Sequence, residues 1–382
     1  MQKPDFNAVL EALRTVHDPD LKRDLVSLDM IKDLKVFDQG KVSLRVLLTT
    51  PACPLKEKIK DDVIAAVKRV TGVETVEVTM DAEVKRAARG GVSGGASGGP
   101  AGATSQNTVL GIPGVAHIIA VSSGKGGVGK STVAVNLAVS LALEGAKVGI
   151  LDADIYGPNL PTMMGASENP KLIQDPVRGE LFIPPTSHGV KVMSMGFLIQ
   201  GDQPVIWRGP MLHNILTQFC TRVEWGSLDY LVVDLPPGTG DVQLSLAQML
   251  PLTGTVIVST PQEIALQDVR KAINMWEKVR VPAIGIVENM SFFRGDDGKE
   301  YKIFGEGGGE MLARKFNTKL LAQLPLLTEI RKGGDEGKPI VIRDPGCEAA
   351  SEFRKLARRV AQEVAMMDAK TKETPSLEIG TF

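Results

Sequence analysis

Gly124-Lys125-Gly126-Gly127-Val128-Gly129-Lys130-Ser131 matches the pattern G-x-x-x-x-G-K-[ST] at every fixed position. An apolar run, His117 to Val121, precedes it, and a helical pattern, Lys130 to Glu144, follows it. Glycines in such a loop let backbone N–H groups turn inward around phosphate oxygens, and the helix N-terminus adds a positive dipole. Lys130 is placed to reach β- and γ-phosphates, and Ser131 to offer a hydroxyl to Mg²⁺. Thr132 joins the loop residues in the candidate nucleotide-binding set.

Two acidic strand ends lie downstream. Ile150-Leu151-Asp152-Ala153-Asp154 closes one apolar run, and Leu231-Val232-Val233-Asp234 closes another. A carboxylate beside phosphates holds Mg²⁺ or orients the attacking water. Asp154 is assigned to water activation and Asp234 to the Mg²⁺ shell, while Asp152 reads equally as a structural residue. Further apolar runs (Lys147–Leu151, Tyr230–Val233, Thr255–Ser259, Ala283–Val287, Leu320–Gln323) alternate with helical patterns. Continuous Val/Ile/Leu runs predict strands buried on both faces, so an α/β domain with a mostly parallel sheet, whose ligands sit at the carboxyl ends of the strands.

Working toward the N-terminus, seven of the thirteen residues from Gly90 to Gly102 are glycine. That composition cannot bury enough apolar surface to offset its ordering entropy, so 86–110 reads as a flexible linker. It separates a small α+β domain, 1–85, from the nucleotide-binding domain, 111–368; a polar tail, 369–382, closes the chain. In the small domain Phe6, Val9, Leu10 and Leu13 mark an amphipathic helix. Strands are predicted at Ile31–Phe37, Lys41–Leu48 and Val73–Val78, with a helix at Leu55–Val70. Cys53 falls just before that helix, where the dipole favours thiolate.

Composition narrows the function classes. Lys and Arg number 44 against 45 Asp and Glu, a balance that argues against a nucleic-acid coat. Aromatics make up 4 % of the chain, too few for a base-stacking platform. Three dispersed cysteines suggest no disulfide framework, and no apolar run is long enough for a signal peptide core or a membrane span. The expectation is a cytoplasmic protein that binds neither nucleic acid nor membrane. His17 and His117 read as structural, with no zinc cluster.

The second lysine at the start of the loop resembles that of the deviant P-loop ATPases. From Ile118 to about Ala365 the chain resembles the Mrp/ApbC family of iron–sulfur cluster carrier ATPases. The matching stretches are GKGGVGKSTVAVNLA (124–138), LDADIYGPNLPTMMG (151–165), WRGPMLHNILTQF (207–219), WGSLDYLVVDLPPGTGD (225–241), STPQEIALQDV (259–269), GIVENMSFF (285–293), IFGEGGGEMLA (303–313) and EIRKGGDEGKPIV (329–341). HDPDLKRDLVSLDMIKDLKV (17–36) and LLTTPACPLKEKIKDDV (47–63) resemble the small cluster-assembly domain that precedes the ATPase in many of these carriers. The resemblance implies a P-loop NTPase with a doubly wound sheet, using ATP and Mg²⁺, slow hydrolysis to ADP and phosphate, and a homodimer with nucleotide at its interface. It implies that Lys125 reaches the partner's nucleotide, that Asn289 reads adenine, and that the partners are iron–sulfur apoproteins and cluster scaffold proteins.

One departure stands out. Most members carry a C-x-x-C pair just after the ENMS-F-F stretch, and two such pairs bridge a [4Fe–4S] cluster; Ser291 to Tyr301 contains no cysteine. Iron needs thiolate ligands. Cys53 is the best remaining ligand candidate, with exogenous thiols or a partner completing the shell. Cys220 reads as a buried small hydrophobe and Cys347 as the start of the last helix. Two other functions stay open. One is an ATP-dependent scaffold or adaptor in cluster assembly without its own stable cluster. The other is a partitioning-type spatial organiser, for which the apolar stripe Phe353, Leu356, Val360 and Val364, flanked by basic residues, would be the contact face.

Overall fold

A computed structural model describes residues 3–84, 111–154, 157–197 and 209–373. The predicted linker lies outside the described residues, as do the first two residues of the WRGPMLHNILTQF stretch. The chain forms two compact units, Met1–Lys85 with Ala361–Phe382, and Arg86–Val360.

The first unit begins with α1 (Phe6–Arg14), whose N-cap Asp5 accepts the Ala8 N–H. Two short strands follow, β1 (His17–Asp18) and β2 (Arg23–Asp24). Next come β3 (Ile31–Val36), β4 (Lys41–Leu48), α2 (Lys56–Lys68) and β5 (Thr75–Ala82). The sheet order is β3-β4-β5, with β3/β4 antiparallel and β4/β5 parallel. Strict alternation in β4 turns Val42, Leu44, Val46 and Leu48 inward. They meet Val9 and Leu13 of α1 and Ile59, Val63 and Val67 of α2 in one core.

The second unit is built on β6 (Val115–Ser123), α3 (Lys130–Leu143), β7 (Val148–Asp152) and the short α4 (Leu160–Met163). A hairpin of β8 (Lys171–Asp175) and β9 (Gly179–Ile183) then stands apart from the main sheet. After β10 (Thr186–Ser187) and β11 (Val190–Ser194) the chain continues through α5 (Gly209–Thr221), β12 (Leu228–Asp234), α6 (Asp241–Met249), β13 (Gly254–Ser259) and α7 (Glu263–Lys278). It ends with β14 (Ala283–Arg294), β15 (Glu300–Tyr301), α8 (Gly308–Lys315), β16 (Leu320–Pro325), α9 (Thr328–Asp335), α10 (Ile340–Arg343) and α11 (Glu348–Glu373).

The nine-stranded sheet runs β10-β11-β7-β12-β6-β13-β14-β15, with β16 also on β14. Every pairing is parallel except β10/β11 and β14/β15 at its margins. This is the mostly parallel α/β architecture read from the apolar runs. Helix α3 is buried along its length, from Val133 through Leu141, as expected of a helix apolar on all sides. The chain order reverses around β6, whose neighbours are β12 and β13, and the crevice above such a point is where ligands bind.

Three features add to the sequence reading. Helix α11 runs through Glu373 rather than ending before a tail at 369, because no breaker occurs until Pro375. The stripe Phe353, Leu356, Val360 and Val364 is at most 1 % exposed, so it is core and presents nothing to a membrane. Strand β14 continues seven residues beyond Val287, through polar positions that its apolar run did not mark. Among the described residues no helix is long and apolar enough to cross a membrane.

Candidate functional site

The loop between β6 and α3 carries the site. Gly129 is its last residue before α3 and has φ +83°. A Cβ there would also lie 2.2 Å from Asn289 Nδ2, so both backbone conformation and space require glycine. Gly124, at the other end, packs so closely that a Cβ would meet the Asp268 backbone at 2.4 Å. The crown between them is open: Lys125, Gly126 and Gly127 are exposed, and a Cβ on Gly127 would meet nothing within 4 Å. That open cradle, followed by the free first-turn N–H groups of a 14-residue helix, fits an anionic phosphate chain.

Lys130 begins α3 and points to the ends of two strands. Its Nζ lies 2.7 Å from Asp234 Oδ1 and 3.7 Å from Asp154 Oδ2, and donates to Ser131 Oγ at 3.3 Å. Ser131 also hydrogen-bonds the Asp234 carboxyl. Burial pushes the Asp234 carboxyl above the ordinary carboxylate range, and the Lys130 ammonium pulls it back. The hydroxyl and carboxylate expected to hold Mg²⁺ are thus side by side, an all-oxygen pair suited to that ion. Asp154 is partly exposed, near enough to both Lys130 and Asp234 to feel their charges.

Asp152 resolves as the organiser of the loop after β7. Its Oδ1 accepts the Asp154 N–H at 3.1 Å. Its Oδ2 accepts the Leu160 N–H at 3.2 Å and the Ser194 hydroxyl at 2.8 Å. It is 1 % exposed; burial and then the nearby Asp234 push its carboxyl up to about 7. Sheet register sets this arrangement. Asp152 pairs with Asp234 on one side and with Ser194 on the other, so the three side chains sit level at the strand ends.

Asn289 lies at the site, 5 % exposed, with its Nδ2 donating to the Val128 carbonyl inside the loop at 2.9 Å. Lys125 is exposed on the crown and its carbonyl accepts the Ser123 hydroxyl. Thr132 is half-buried in the first turn of α3. His117 stacks on Tyr230, and His17 bonds the Thr15 carbonyl.

Cys53 sits in a more desolvated setting than its place before a helix suggests. Helix α2 begins three residues later, at Lys56, and the thiol packs against the small-domain core. Burial pushes it up to about 11, with Asp18 and Asp20 adding repulsion, so the thiol form wins over the dipole's preference for thiolate. Cys220 is buried, its thiol pushed up to about 12 by desolvation. Cys347 caps α11, its Sγ accepting the Ala350 N–H at 3.4 Å. Among the described residues no three His, Cys, Asp or Glu side chains are grouped to hold a metal ion.

Comparison with known proteins agrees with this geometry. Residues 114–361 match the family of NUBPL iron-transfer P-loop NTPases, and residues 7–79 match iron–sulfur cluster assembly proteins. The iron–sulfur cluster carrier protein of Synechocystis sp. is 49 % identical over 94 % of this chain and 98 % of its own length. That of Escherichia coli (strain K12) is 44 % identical over 93 % and 91 %. Among solved structures, a nucleotide-binding protein from Archaeoglobus fulgidus in complex with ADP is 39 % identical, with a TM-score of 0.54, over 63 % of this chain and 93 % of that one.

Proposed function

Because this chain belongs to the NUBPL-type iron-transfer P-loop NTPases and carries an iron–sulfur assembly domain ahead of the nucleotide-binding part, we propose that it is an ATP-hydrolysing carrier that delivers iron–sulfur clusters to recipient apoproteins. The observation that carries the reading is the convergence of Lys130, Ser131, Asp154 and Asp234 on one loop and two strand ends. The same constellation sits in a chain that matches named cluster carriers over nearly its whole length.

Lys130 neutralises the transferring phosphate, and Ser131 and Asp234 would hold Mg²⁺, which would supply further positive charge to the phosphate chain. Asp154 orients the attacking water and accepts its proton, while Asp152 fixes the backbone that presents Asp154. Asn289 reads the adenine base through its carboxamide oxygen, its nitrogen being held by the loop. Lys125, exposed on the crown, closes over the nucleotide of a second copy. Hydrolysis releases that grip, and linkage requires that any effect of nucleotide on cargo affinity be returned by cargo on nucleotide affinity. The cluster is cargo, its ligands completed by recipient or small-molecule thiols.

The test has two arms. Calorimetry with Mg-ATP analogues should show uptake that Lys130→Ala abolishes, and sedimentation should show an ATP-dependent dimer that Lys125→Ala loses. Anaerobic reconstitution should give iron that moves to an apoprotein. A second reading, an ATP-driven scaffold without its own cluster, draws on the cysteine-free Ser291–Tyr301 segment and the protonated Cys53. Intact ATPase with no iron uptake selects it.

A further inference from the structure

Strand β14 changes character where it approaches the nucleotide loop. Through Val287 it is apolar; then Glu288, Asn289 and Ser291 follow, each at most 5 % exposed. The ladder to β16 is irregular between Glu288 and Phe292, and Met290 inside that gap has φ +55°. A methionine holds a left-handed backbone only where its surroundings over-determine it. Here two sets of contacts do so.

On one side stands the Glu288 carboxyl. Its Oε1 accepts from Gln323 Nε2 of β16 at 3.0 Å. Its Oε2 accepts the Gly309 N–H, in the first turn of α8, at 2.6 Å. Ser291 Oγ reaches both the Glu288 carbonyl, at 2.8 Å, and Oε1, at 2.9 Å. Three donors thus converge on an acceptor-only group. On the other side Asn289 donates to the Val128 carbonyl, and the Met290 methyl lies 3.7 Å from where a Gly129 Cβ would stand. Beyond the bulge the same strand becomes the β14–β15 hairpin, with Phe293 opposite Tyr301.

We propose that Glu288 is a positioning residue for the nucleotide loop. Its carboxyl fixes the Glu288–Ser291 bulge, and the bulge holds Asn289 on the Val128 carbonyl. The bulge also passes a shift of the loop into the β14–β15 hairpin. The proposal rests on the nucleotide-binding reading above and adds a residue and a route that the phosphate chemistry alone does not require.

The chemistry predicts which substitutions matter. In Glu288→Gln a flipped Gln323 amide restores the pairing, leaving an oxygen for Gly309. Glu288→Ala leaves the buried Gly309 N–H without its acceptor, while the exposed Gln323 amide turns to water. Full-length protein is examined by hydrogen exchange over residues 292–301, with and without Mg-ADP, and by calorimetry with Mg-ADP on the same samples. Wild type and Glu288→Gln should bind alike and show slower hairpin exchange with Mg-ADP. Glu288→Ala should bind on the order of tenfold more weakly and lose the hairpin response. If Glu288→Ala does not fold, Ser291→Ala, which removes one of the three donors, should show the same direction with a smaller change. A folded Glu288→Ala or Ser291→Ala with unchanged affinity and unchanged hairpin response overturns the proposal. So does a wild type that binds Mg-ADP without any hairpin response. A wild type that takes up no Mg-ADP overturns the nucleotide reading itself, and this inference with it.

Discussion

Lys130 and Asp234 form an ion pair at 2.7 Å, with side-chain exposures of 6 % and 1 %. A buried pair of this kind adds little stability over a well-packed apolar substitute, but removing one partner strands the other. In the proposed function the two groups act on phosphate and Mg²⁺ instead.

Lys130→Ala should therefore lose more than nucleotide affinity. An uncompensated Asp234 costs about 3–5 kcal/mol. Without the ammonium that pulls it down, the Asp234 carboxyl rises further, so it charges later on folding than in the unfolded chain. The folded state then holds the extra proton, and stability falls as pH rises. Urea unfolding should show a larger wild-type-minus-variant gap at pH 8 than at pH 5.

Asp152 gives the wild type its own pH dependence. Its carboxyl is pushed up to about 7 in the folded state from an ordinary 3.8. Between those values the folded protein holds a proton that the unfolded chain has released. Its contribution to stability thus declines as pH rises from about 4 to about 7 and is constant above. Asp152→Asn should flatten unfolding free energy across that window, measured by denaturant titrations at closely spaced pH. A variant curve parallel to wild type would refute the assignment.

Cys53 should be a sluggish nucleophile. Raising a thiol from 9.0 to about 11 cuts its thiolate fraction at neutral pH by roughly a hundredfold. Maleimide labelling followed by mass spectrometry should show slow modification at pH 7.5 that accelerates in urea. Labelling of Cys53 as fast as free cysteine would show that the thiol is not buried.

Phe353 is fully buried in α11. Phe353→Ala should cost about 3–5 kcal/mol by denaturant unfolding. A change below 1 kcal/mol would mean that the stripe faces solvent and would reopen the organiser reading.

The phosphate loop and the main strands were legible because their signals are local: a fixed spacing in one case, runs of Val, Ile and Leu in the other. The β8–β9 hairpin was not, since Leu172, Ile173 and Val177 are exposed and carry no burial pattern. The end of β14 escaped for the opposite reason. Glu288, Asn289 and Ser291 are buried yet polar, and only their partners at Gly309, Gln323 and Val128, distant in sequence, explain them. Cys53 shows a competition the sequence cannot weigh. Proximity to a helix start is visible in a string of residues, whereas the desolvation that overrides it depends on packing from the rest of the small domain.

Strand length acts as a ruler in this protein. Ser194, Asp152 and Asp234 finish level on adjacent parallel strands. Two residues inserted into β7 would keep every later side chain on its proper face yet carry Asp152 about 6.6 Å outward. It would overshoot both neighbours, and the backbone bearing Asp154 would travel with it. Insertions that spare the apolar packing entirely would still disarm the molecule.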